Sequence, residues 1–77
     1  MRASGLYVFV SDHAALRSLQ DFLRRADCVA EQARGNELDV YVPGAPSERQ
    51  ARRELDVYLT VWQVHNPGVE AYVLDPR

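Results

Sequence analysis

The chain has 77 residues, one cysteine and a formal net charge of −2. That length holds one domain, residues 1–77, and a lone cysteine excludes an internal disulfide. Such mild charge argues against a nucleic-acid or anionic-membrane partner, while 47% hydrophobic and 26% charged residues make a globular composition.

Met1-Arg2-Ala3-Ser4-Gly5 leads straight into a strand pattern. No apolar stretch there has the length of a signal peptide or a membrane span, so a cytosolic protein is the expectation. Leu6-Tyr7-Val8-Phe9-Val10 is a β-branched and aromatic run closed by Ser11-Asp12, which predicts a strand ending at a helix N-cap. Helix one is predicted from about His13 to Ala26, with Ala15, Leu16, Leu19, Phe22, Leu23 and Ala26 at the spacing of one face. Arg17, Asp21, Arg24 and Arg25 take the opposite face, where Asp21 stands four residues from both Arg17 and Arg25.

Cys28–Arg34, Gly35-Asn36 and Glu37–Val42 read as a hairpin whose two central residues carry positive φ. After the stiff Pro43-Gly44-Ala45-Pro46 loop, Ser47-Glu48-Arg49-Gln50 fits a capping box. Helix two then extends to about His65 or Asn66 and stops at Asn66-Pro67-Gly68. Val69–Asp75 is the last strand.

Two βαβ crossovers sharing a central hairpin define an α+β, ferredoxin-like βαββαβ two-layer sandwich. Right-handed crossovers give an antiparallel sheet of order 4-1-3-2, with both helices on one face.

Alternation then divides the strands. Leu6, Val8 and Val10, with Leu38, Val40 and Val42 and with Val69, Ala71 and Val73, match the apolar stripes of the helices. Strand two does not declare which of its faces, Cys28-Ala30-Gln32 or Val29-Glu31-Ala33, is buried. The other side of the sheet would carry Tyr7, Phe9, Tyr41, Tyr72 and Leu74 without a helix to cover them. Each aromatic buries about 150–250 Å², so four reach or exceed the roughly 300–600 Å² expected of the largest apolar patch on a monomer. The competing view is that the hydroxyls, with Asp39, Glu70 and Glu31, keep this face wet. We favour an interface, with a homodimer first among its occupants and another protein as an alternative partner.

RNA is a further occupant to weigh, because the RNA-recognition motif shares this topology and Leu6-Tyr7-Val8 resembles the start of its first strand. Glu37-Leu38-Asp39-Val40-Tyr41-Val42 lacks that motif's basic and glycine positions, and the nearby carboxylates repel phosphate. The third occupant is a small ligand at a dimer seam.

Helix two offers another surface. Ala51, Leu55, Tyr58, Leu59 and Trp62 form its core stripe, while Val57, Val61 and Val64 form a second. Cover by helix one is the simpler expectation for those valines; the alternative is a second interface.

Chemistry is sparser. Asp12 reads as a cap, and His65 suits the C-terminal end of a helix dipole. Cys28 reads as a small buried hydrophobe. Arg49, Arg52 and Arg53 are interleaved with Glu48, Glu54 and Asp56, which suggests a solvated face, with an anion site at the helix start as the alternative. No metal or cofactor set emerges, since His13, His65 and Cys28 stand apart.

The Ala15-Leu16-x-x-Leu19-x-x-Phe22-Leu23-x-x-Ala26 helix, the Val40-Tyr41-Val42-Pro43 strand end and the Glu48-Arg49-x-Ala51-Arg52-Arg53 helix start carry a family likeness. The layout resembles the small regulatory modules of the ACT and PII type, and most of all the short stand-alone signal-transducing proteins related to PII. The resemblance spans nearly the whole chain and implies a regulatory module. It departs from PII proteins at Gly35-Asn36, which is too tight to replace their long loops. It departs from ACT domains at Ser11-Asp12-His13-Ala14, where those carry a glycine. Neither ligand set transfers residue by residue. The expected function is a non-enzymatic regulatory or protein-interaction module that self-associates through the aromatic face. The alternative is a ligand binder or enzyme with its site at a dimer seam, built on Asp12, His13 or an outward tyrosine.

Overall fold

The computed structural model describes residues 5–74; the expectation for Met1–Ser4, and Asp75 of the last strand, lie outside them. Four antiparallel strands, β1 (Leu6–Val10), β2 (Val29–Gln32), β3 (Glu37–Tyr41) and β4 (Ala71–Val73), form one sheet of order β2-β3-β1-β4. From the opposite edge this reads 4-1-3-2. Between the strands lie α1 (Leu16–Arg25) and α2 (Glu48–Val64).

The aliphatic residues of β1, β3 and β4 meet Leu16, Leu19 and Leu23 of α1 and Leu55, Leu59 and Trp62 of α2 in one core. Ala30 of β2 and Cys28 just before it complete the core, while Val29 and Glu31 turn outward. Phe22 and Tyr58 are only half-buried at the margin of this core. Indole Nε1 of Trp62 donates to Ser18 Oγ at 3.3 Å and ties the two helices together.

The elements are shorter than their patterns. His13–Ala15 is a 3-10 turn, in which Asp12 accepts a bond from the Ala14 N–H at 3.0 Å; the α-helix begins only at Leu16. Arg17 pairs with Asp21 at 3.7 Å on the exposed side of the helix, where such a bond contributes little. The helix ends without glycine. Asp27 takes the left-handed conformation (φ 67°), while the N–H groups of Cys28 and Asp27 return to the carbonyls of Leu23 and Arg24. This double closure satisfies carbonyls that the last turn leaves open.

Only Gly35 has positive φ in the hairpin turn, not Asn36 as well. A turn with glycine in the first central position needs just that one. The Ser47 hydroxyl caps the Gln50 N–H at 3.1 Å, but the Gln50 amide turns forward to Glu54, so the box is half made. After α2, Gly68 (φ 90°) stands at the third position of a turn closed by Val69 N–H on Asn66 C=O. Proline then glycine is the sequence such a turn requires.

Candidate functional site

Among the described residues, four strands and no helix make the outer face of the sheet. Tyr7 (47% exposed), Tyr72 (49%) and Val29 (47%) stand in solvent, whereas Phe9, Tyr41 and Leu74 are half-buried among them. Cross-strand register brings these side chains together. Phe9 lies opposite Tyr72, with ring centroids 5.4 Å apart and tilted by 37°, and Tyr41 lies opposite Val29. Val29 escaped the sequence reading because strand two is a poorly patterned edge; its pairing with β3 settles which way it points.

Carboxylates share this face. Glu31 is paired directly with Asp39, and Asp39 with Tyr7; Glu37 is paired with Phe9. Arg24 reaches Glu31 from α1 at 3.4 Å. The Asp39 carboxylate lies over the backbone of Gly5, in space that a Cβ at that residue would need. Glycine there permits the close approach.

Helix side chains bond one backbone group on each edge of the sheet. On the β2 edge the Ala30 carbonyl accepts from Gln20 Nε2 at 2.9 Å and from Arg24 Nε at 3.1 Å. On the β4 edge Gln63 Oε1 accepts from the Ala71 N–H at 3.1 Å. Unpaired strand edges invite another strand, and filling their donors and acceptors removes the invitation.

Helix one does not cover Val57, Val61 and Val64, which are 60%, 44% and 72% exposed. Each follows a core residue (Leu55, Leu59, Trp62) by two places, and two residues turn an α-helix by about 200°. The stripe therefore looks away from the sheet.

The remaining candidates do not converge. His13 Nδ1 donates to Asn36 Oδ1 at 3.2 Å, and His65 Nδ1 donates to the Val61 carbonyl at 3.1 Å, both at the surface. Arg49 and Arg53 are exposed and Arg52 is half-buried. The groove at the start of α2 is lined by Leu6, Val40, Val42, Ala51 and the acidic Glu48, which suits an anion poorly. Among the described residues no group of three or more His, Cys, Asp or Glu could hold a metal ion. No helix among them is long and apolar enough to cross a membrane.

Cys28 is buried, and burial first, then the carboxylates of Glu54 and Asp27, pushes its thiol up. A thiolate is the reactive form, so this sulfur is inert. At pH 8 it should react with a disulfide reagent at least about 100-fold more slowly than in the urea-unfolded chain. Equal rates would show that the site is open. Because the folded state holds this proton more tightly, the linked stability is complete below the free thiol's pKa and is lost as pH rises through the raised value.

No family model, curated protein or solved structure matches the chain.

Proposed function

We propose that this chain is a small ferredoxin-like interaction module, regulatory rather than enzymatic, which self-associates through the outer face of its sheet. One observation carries the reading: the rings of Tyr7, Phe9, Tyr41 and Tyr72 gather on a face that no element among the described residues covers. The helix side chains bonded to Ala30 and Ala71 also stand in the way of strand-to-strand pairing at those two positions. Sheet faces that meet in this way pack about 10 Å apart with strands roughly aligned.

Size sets the strength. Strands about 4.8 Å apart and about 17 Å long give a footprint of roughly 300–350 Å² per copy. Two such faces make roughly 600–700 Å² of footprint in total, below the size of standard specific interfaces. An interface of that size makes a weak, reversible dimer.

Sedimentation equilibrium between about 10 µM and 1 mM tests this. The native chain should shift from monomer to dimer, and the Tyr7→Ser/Tyr41→Ser double variant should raise the dissociation constant at least about tenfold. A monomer throughout, or a dimer indifferent to the two substitutions, would remove the proposal.

A further inference from the structure

The outer face has two chemical halves. Its carboxylates Glu31, Asp39 and Glu37 stand on β2 and β3, and three of its rings, Tyr7, Phe9 and Tyr72, stand on β1 and β4; the fourth, Tyr41, closes the end of β3 beside Val29. Like charges directly opposite one another, as Glu31 and Asp39 are, repel. They would repel more strongly if a partner brought further carboxylates over them in a drier environment.

Accepting the self-association proposed above, we infer that the two copies stack about a twofold axis parallel to the strands, between β1 and β3. A symmetric interface makes every contact twice, residue i on j and j on i. Rotation about that axis lays β3 of one copy over β1 of the other, and β2 over β4. Asp39 then faces the partner copy's Tyr7, whose hydroxyl donates to the carboxylate, a charge-assisted bond formed twice. Tyr41, one row along, faces Gly5, where the Asp39 carboxylate of that copy lies over the backbone. The other in-plane axis, across the strands, lays β3 over β3 and brings Asp39 onto Asp39 and Glu31 towards Glu31. Charge separates the two arrangements.

Mixing the native chain with an Asp39→Lys variant distinguishes them, read by native mass spectrometry of dimers. With the axis along the strands, residue 39 never meets its own copy. The mixed dimer should then form at its statistical share, the product of two independent changes. Enrichment of the mixed dimer well above that share, about threefold or more, is the signature of residue 39 facing itself and overturns the inference. A Tyr7→Phe variant, which keeps the ring, should raise the dissociation constant roughly tenfold or more by deleting both hydroxyl–carboxylate bonds. An unchanged constant also overturns it, and decides the matter if Asp39→Lys does not fold. A native chain that stays monomeric sinks the self-association itself; a face-dependent dimer that fails either test sinks only the orientation.

Discussion

Leu38→Ala is expected to lower the stability of the domain by about 2–5 kcal/mol, the range of buried leucine truncations. Leu38 is fully buried near the start of β3, with Val8 of β1 on one side and Gln32 of β2 on the other. Its side chain fills the layer between sheet and helices, so the lost methyl groups leave a void that rigid neighbouring strands cannot collapse. A chain of this size has on the order of 4–12 kcal/mol in total. The loss is therefore a large part of what holds it folded, equivalent to about 10 °C or more in Tm. Urea denaturation checks the value. A change below about 1 kcal/mol would mean that the layer is loosely packed or can close over the gap.

The second large effect is expected at Gln20. This side chain is buried, donates to the Ala30 carbonyl and accepts from Gln32 Nε2 at 3.4 Å. Gln20→Ala removes the better of the two donors on that carbonyl, leaving Arg24 alone at 3.1 Å. An under-satisfied buried polar group costs about 1–3 kcal/mol. Gln20→Glu should be worse, since a carboxylate pointed at a carbonyl offers no donor. The substitution also uncovers a strand edge, so Gln20→Ala should gain a slow, concentration-dependent light-scattering signal that Tyr7→Ser/Tyr41→Ser does not share. Wild-type stability and clear solutions for Gln20→Ala would show that Arg24 guards the edge by itself.

Much of the fold was legible because alternation and helical spacing are written locally. Leu6, Val8 and Val10 alternate with Tyr7 and Phe9, and Leu16, Leu19 and Leu23 recur at three and four, so the buried sides follow without knowledge of the partners. Reading the strand neighbours needed only the handedness of crossovers. Local wording failed where two signals competed. Ser47 at the start of α2 was correctly placed as a cap, but Gln50 found a nearer partner in Glu54. Asp27 gives no glycine signal, yet it adopts the left-handed turn because the returning bonds of Cys28 hold it there.

The candidate surface divides in the same way. Its tyrosines and phenylalanine could be named in advance, whereas Val29 joined them only once β2 had docked on β3. Gln20 and Gln63 carry no mark in the sequence as edge guards, since each serves a strand that the chain reaches later. Nor does spacing alone say whether Val57, Val61 and Val64 meet helix one; where Trp62 and Ser18 touch sets how α2 is turned.

By itself the sequence determined the order of the elements, the aliphatic faces that join them and the aromatic identity of the opposite face, since each of these depends on a period of two or of about 3.6 residues. Tertiary structure decided the facing of strand two, the helix side chains bonded to each edge, the exposure of the helix-two valines and the pairing of carboxylates with rings across the strands. Those are relations between residues distant in the chain, and no local period encodes the rotation and register with which one element settles on another.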